Sequence, residues 1–282
     1  MYNYNNATSR NIGWITEQEQ AYLSSKRIAI AGLGGVGGAH LLTLIRLGIT
    51  KFNIADFDSF EVHNFNRQSG AFISTVGKEK LDVMEKMARD INPEADIKTF
   101  NRGINRGNID DFFNGVDLYV DSLDFFALDA RKMAFKKCAE KNIPAITAAP
   151  FGMGCAFLAF MPGGMTFENY FRLEGHSDEE QLIKLLIGLS PSMMQRTYLV
   201  DKSRADFKAK RGPSTPMAVD MCAGIAGSNA LKILLGRGEI ISAPYGLHFD
   251  AYRNKLKKTW RPGGNSNPLQ KLAFQVAKKI LL

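Results

Sequence analysis

Short, nearly continuous apolar runs recur along the chain, and between them apolar residues return every three or four positions. The runs suit strands buried on both faces, and the intervening pattern suits amphipathic helices. RIAIAGLG (27–34), KFNIADFD (51–58), IKTFN (97–101), DLYVDSLD (117–124), IPAITAAPFG (143–152) and CAFLAFMPGG (155–164) read as strands. Helices are predicted over 16–25, over GGAHLLTLIRLG (37–48) with Gly48 as its C-cap, over 77–91 up to Pro93, and over 125–141. Residues 59–76 read as loop with short helical pieces. This alternation predicts an α/β fold, a Rossmann-like, mostly parallel sheet with helices on both faces.

The rhythm breaks over 165–215, where a helical patch, DEEQLIKLLIGL, sits among mixed aromatic and charged residues. We read 165–215 as an insertion or crossover segment over the sheet's ligand edge. A small-residue helix over 216–236 and late, antiparallel strands within 241–260 follow. The expected organisation is a nucleotide-binding part, 1–164, with an N-terminal arm, 1–25. The segment 165–215 comes next, and 216–282 completes the same domain and carries a basic tail.

Composition is that of a globular chain: 282 residues, 45% hydrophobic and 23% charged, which excludes extended disorder. Cys138, Cys155 and Cys222 are odd in number and lack C-x-x-C spacing, so neither a disulfide scaffold nor a four-cysteine zinc site is expected. No apolar run reaches the roughly 18 residues that span a bilayer. The first fourteen residues are polar and lack a signal-peptide core, so the expected setting is reducing and cytoplasmic, with no membrane span. The net charge of +8 lies entirely beyond residue 250, in Arg253, Lys255, Lys257, Lys258, Arg261, Lys271, Lys278 and Lys279, with no acid among them. Such a tail is a solvated face or attracts an acidic peptide, RNA or membrane surface. Its last stretch, PLQKLAFQVAKKILL, places Leu269, Leu272, Ala273, Val276 and Ile280 on one helical face. That face is expected to dock on its own protein or on a second subunit, with a membrane-surface helix as the alternative.

Gly32-Leu33-Gly34-Gly35-Val36-Gly37 joins the first strand to a helix, where a tight turn and a helix N-terminus bind phosphate. The next strand ends at Asp56, nineteen residues after Gly37, where a carboxylate takes both hydroxyls of a ribose. These two features fit NAD and ATP alike. Asn64, Asn66, Arg67 and Gln68 in HNFNRQ, and Lys80 in TVGKEK, favour ATP, because a triphosphate needs cations beyond the ribose acid. DSLD then puts Asp121 and Asp124 at the carboxyl edge of the sheet, where an acid beside a triphosphate suits magnesium. Taken singly, Asp124 reads equally as a helix N-cap and Lys80 as a solvated surface lysine.

In this order, G-x-G-G-x-G, DFD, N-x-N-R-Q, T-V-G-x-x-K and D-x-x-D resemble the ThiF/MoeB/HesA, or ubiquitin-activating (E1-like), adenylyltransferase superfamily. The resemblance covers roughly 8–165 and returns weakly over 216–260. It implies ATP- and magnesium-dependent adenylation of a carboxylate, such as the C-terminus of a small ubiquitin-like protein or peptide, or a small acid. It further implies that Gly32, Gly34, Gly35 and Gly37 line the phosphates and Asp56 holds the ribose, with Asp58, Asn66 and Gln68 beside them. Asn64, Arg67 and Lys80 would contact phosphates, and Asp124 would hold magnesium. Arg10 stands where the family has an arginine that reaches the partner's site, so a homodimer with Arg10 acting in trans is implied. As a bare residue, Arg10 also reads as a mobile surface arginine.

The chain departs from the family in two ways. It lacks the paired C-x-x-C zinc motifs of many relatives, so no zinc is expected. Residues 156–221 hold no cysteine, so the acyl-adenylate is expected to pass directly to a nucleophile rather than through a crossover-loop thioester. Cys155 alone has a place near the sheet edge, and with no histidine close in sequence it is not expected to be a nucleophile. His40, His63, His176 and His248 match no metal-ligand spacing. Phe167, Tyr170, Phe171 and Arg172 read as core of the inserted segment or as a peptide groove. Three alternatives to peptide activation stand: an NAD(P)-dependent oxidoreductase, resting on the glycine turn and Asp56 alone; a non-catalytic E1-like scaffold; and adenylation directed at modified tRNA, which the basic tail permits.

Overall fold

The computed structural model describes residues 1–205 and 209–281. Its strands are β1 (Arg27–Ala31), β2 (Lys51–Ala55), β3 (Asp96–Phe100), β4 (Leu118–Asp121), β5 (Ala145–Phe151), β6 (Gly154–Phe160), β7 (Tyr245–Asp250) and β8 (Lys255–Trp260). They form one sheet in the order β3-β2-β1-β4-β5-β6-β7-β8. The first five are parallel, and β6, β7 and β8 join by antiparallel pairing. The strand order reverses beside β1, between β1 and β4, which is where a ligand crevice opens at the carboxyl ends of such sheets.

Helices cover both faces, as the alternation predicts. They are α1 (Tyr4–Thr8), α2 (Glu17–Ser25), α3 (Gly35–Arg46), α4 (Lys80–Ile91), α5 (Ile109–Phe112), α6 (Leu128–Glu140), α7 (Phe167–Phe171), α8 (Asp178–Leu189), α9 (Pro216–Leu235) and α10 (Pro268–Leu281). All five residues of β1 are buried, and the period-two pattern sorts them: Ile28 and Ile30 pack under α3, α4 and α9, while Ala29 and Ala31 face α5, α6 and α7. On the second face a chain of ring contacts runs from Phe112 and Phe113 through Tyr119 and Phe135 to Phe160 and Phe167. Phe167, Tyr170 and Phe171 are therefore core, and only Arg172 of that set is exposed.

Three expectations change. The segment 165–215 does not simply cover the ligand edge. Its first half, α7 and α8, completes the second face of the sheet beside β6. Only its later half returns to the edge, where Thr215 donates to the Gly152 carbonyl at 2.8 Å and Tyr198 accepts from the Met153 amide at 2.9 Å. Residues 206–208 of that segment lie outside the described residues. Second, α9 is twenty residues long and apolar enough by composition to cross a bilayer. Gly, Ala and Cys supply much of that apolarity between Asp220, Ser228, Asn229 and Lys232, so no continuous run announces it. Half of its apolar stretch is buried, against β5, β6 and α3, and Gly227 lets it approach Thr43 of α3.

The third change concerns α10. It docks on α8 through Phe274, with Ala273, Ala277 and Leu281 around Ile183 and Ile187. Gln270 donates to the Ile187 carbonyl at 2.9 Å, and Lys278 pairs with Glu180. Of the expected docking stripe, Ala273 joins this contact, while the other four face solvent: Leu269 is 61% exposed, Leu272 65%, Val276 45% and Ile280 59%. An apolar arc this wide offers two faces, and the fully buried Ile183 of α8 selects the one carrying the aromatic ring.

Candidate active site

The turn after β1 is built by close backbone contacts. Gly32 has φ +88°, and a Cβ there would stand 2.3 Å from the Ser122 carbonyl oxygen. At Gly37 a Cβ would stand 1.8 Å from the Gly32 carbonyl oxygen. These two glycines are required by the fold itself. Gly34 and Gly35 are different: a Cβ on Gly34 would come no closer than 3.6 Å to the Gln68 side chain, and one on Gly35 would meet Val219 at 3.4 Å and Arg67 at 3.7 Å. Their space opens toward the 61–68 loop. Gly34 is the N-cap of α3 and contributes no side-chain cap, so the amides of the first turn of α3 face the same space.

Asp56 fixes the turn to the end of β2. It is buried, accepting the Leu33 amide at 2.5 Å and the Asp58 amide at 2.8 Å. Burial pushes its carboxyl up, while the two amides and the charge of Lys80 pull it down. Each oxygen keeps a further lone pair, so the group can still accept from a ligand hydroxyl.

The 61–68 loop brings Arg67 and Gln68 over the glycines. Arg67 is half-buried, donating to the His63 carbonyl at 3.1 Å and to Asn66 Oδ1 at 2.9 Å. Burial lowers its guanidinium, and the nearby charge of Asp124 works against that. Gln68 is buried, and its Oε1 finds no hydrogen-bond partner among the described residues, an unmatched acceptor beside Gly34. Asn66 donates to the Ser214 carbonyl at 3.0 Å, tying the loop to the segment that leads into α9.

Other predicted residues take different parts. Asn64 is buried, and its Oδ1 accepts the Glu61 amide at 3.0 Å, closing its own turn. Lys80 is buried as the first residue of α4, with Nζ 3.1 Å from Asp58 Oδ2. The two charges meet each other, and an incoming phosphate must compete for the lysine. Asp121 is buried against Arg131 at 2.9 Å. Arg131, which the sequence pattern did not single out, also donates to the Leu123 carbonyl and at 3.3 Å to the Phe125 carbonyl, and so shapes the loop that presents Asp124. Asp124 itself is exposed and accepts the Phe126 amide at 2.9 Å through one oxygen. Its second oxygen is the donor available to a cation. Among the described residues no group of three or more His, Cys, Asp or Glu could hold a metal alone. A single carboxylate fits magnesium only where phosphate oxygens supply much of its shell.

Arg10 does not join these groups within one chain. The arm on either side of it is held at the far end of α3, where Tyr4 donates to the Gly48 carbonyl at 2.7 Å and Asn11 to the Leu47 carbonyl at 3.2 Å. Twelve residues of helix put that end roughly 18 Å from the turn. All three cysteines are reduced and buried. His63 lies on the surface beside Glu61 at 3.2 Å. Beneath the turn, His40 is fully buried with Nδ1 2.9 Å from Ser122 Oγ, and burial lowers it to about 4. A histidine inside a helix of leucines gives no sequence signal of that contact, because its partner is 82 residues away.

Residues 8–271 match the model of the ThiF family. The chain is 32% identical over 141 residues to a tRNA threonylcarbamoyladenosine dehydratase of Bacillus subtilis, covering 50% of this chain and 55% of that protein. It is 26% identical over 179 residues to a probable molybdopterin-synthase adenylyltransferase of Porphyra purpurea, covering 62% of this chain and 46% of that one. The chain thus spans about half the length of the curated relatives it matches. Among solved structures, E. coli MccB with ATP superposes with a TM-score of 0.66 at 20% identity, covering 91% of this chain and 72% of that one. At that identity the likeness concerns the fold.

Proposed function

The chain belongs to the ThiF family, and on that premise we propose that it adenylates a carboxylate with ATP. The observation that carries this reading is that Arg67 and the unmatched Gln68 acceptor lie against Gly34 and Gly35 at the start of α3, with the charge of Asp124 near Arg67. The solved likeness of MccB with ATP supports ATP as the nucleotide, and the Porphyra relative's name supports adenylyl transfer.

A carboxylate resists nucleophilic attack because it is already negative. In the proposed step its oxygen attacks the α-phosphorus of ATP, the bond between that phosphorus and the α–β bridging oxygen breaks, and pyrophosphate leaves. The product is an acyl–AMP anhydride, passed to a nucleophile directly. Little covalent help is needed, and positioning with charge neutralisation does the work. Asp56 accepts the ribose hydroxyls, and the amides at the start of α3 and Arg67 hold phosphate oxygens. Lys80 exchanges Asp58 for phosphate as the triphosphate enters. Asp124 is the residue that would hold magnesium, which when bound neutralises charge on the departing phosphates. Arg10 serves a second subunit's site in a homodimer.

The acid is a peptide or small-protein C-terminus. A modified tRNA is the second reading, favoured by the Bacillus relative's name and by the acid-free stretch after residue 250. ATP–pyrophosphate exchange, measured with candidate peptides and with tRNA, tests both. Exchange with one of them and not the other assigns the substrate, and exchange with neither, in a protein that binds no ATP, overturns the proposal.

A further inference from the structure

The solvent face of α10 carries four large aliphatic side chains in one stripe, Leu269, Leu272, Val276 and Ile280, each between 45% and 65% exposed. The opposite face is already committed to α8. Helical spacing puts Lys271, Gln275 and Lys279 along the open border of the stripe, and all three are exposed. The whole stretch from residue 251 holds eight cations and no acid. An apolar stripe bordered by lysines, on a helix anchored by its other side, matches the way amphipathic helices lie in a bilayer interface.

We propose that this face of α10 docks on an anionic lipid surface, with the aliphatic stripe in the acyl boundary and Lys271 and Lys279 at the headgroups. The charge pattern selects this occupant. Two copies of the stripe packed antiparallel about a twofold axis would bring their lysine rows together on one side of the contact. The stripe presents no aromatic ring for a nucleobase to stack on. An anionic leaflet meets both requirements at once, since it accepts aliphatic side chains and attracts lysines.

The test is co-sedimentation of the full chain with vesicles of phosphatidylcholine alone and of phosphatidylcholine with phosphatidylglycerol. Binding is expected to the anionic vesicles only, and to weaken as salt is raised. The double substitution L272Q/V276Q is expected to lower that binding by about tenfold or more, with the melting temperature unchanged because both side chains are exposed. Three results would overturn the proposal: no binding to anionic vesicles, equal binding to the neutral ones, or undiminished binding by the double variant. A change in oligomeric state of L272Q/V276Q by light scattering, without vesicle binding by the parent, would give the face to a second copy instead.

Discussion

The crevice at the head of α3 and the outer face of α10 are both unfinished surfaces, and they are unfinished in opposite ways. The turn leaves polar groups unmatched, a buried Gln68 acceptor and the amides of a helix start, with the half-buried Arg67 beside them. The α10 face leaves apolar groups unmatched, on a convex surface. A polar deficit at a helix start suits a small charged ligand that brings its own hydrogen-bond partners. A convex apolar excess suits something large that removes water from it. Damage to the first should therefore cost chemistry, and damage to the second should cost attachment and little else.

The largest expected effect lies in the crevice. Asp124→Ala should lower ATP–pyrophosphate exchange by about 1,000-fold with circular dichroism and melting temperature preserved; retained exchange would move the metal elsewhere. Within the same turn, Gly37→Ala should cost about 3 kcal/mol of stability, because its Cβ cannot be placed beside the Gly32 carbonyl. Gly34→Ala should stay within about 1 kcal/mol and weaken nucleotide binding, which urea midpoints and ATP titration would separate.

Beneath the turn, burial holds His40 at about 4 against an ordinary 6.5. A histidine kept neutral in the fold gains its proton first in the unfolded chain. Its stabilising contribution is complete above about pH 6.5 and falls as the pH drops toward about 4, by about 3 kcal/mol in all. Stability measured from pH 7 to pH 4 should show this slope, and His40→Gln should flatten it. On α10 the contrast is sharpest and smallest in size. Phe274→Ala should cost about 2 kcal/mol and Leu272→Gln should stay within about 0.5 kcal/mol. Equal losses would mean that the outer face is packed after all.

The turn was legible because its chemistry is local. Glycine spacing, a strand before and a helix after, and an acid ending the next strand are all read within thirty residues. The face of α10 that packs on α8 was not singled out because the helix's wide apolar arc contains two candidate faces, and one-dimensional periodicity does not rank them. Lys80 was legible as a cation, while its burial against Asp58 was not, since the pairing spans 22 residues and a loop.

The alternation of strands and helices, the glycine turn and the set of charged residues after it are written in the order of residues, because each depends on periodicity or short spacing along one chain. Tertiary structure alone decided that Arg131 neutralises Asp121 and leaves Asp124 presented at the edge, that His40 lies under the turn against Ser122, and which face of α10 is spent on α8. Those outcomes follow from which distant side chains share a buried space, and burial is a property of the packed chain rather than of any stretch of it.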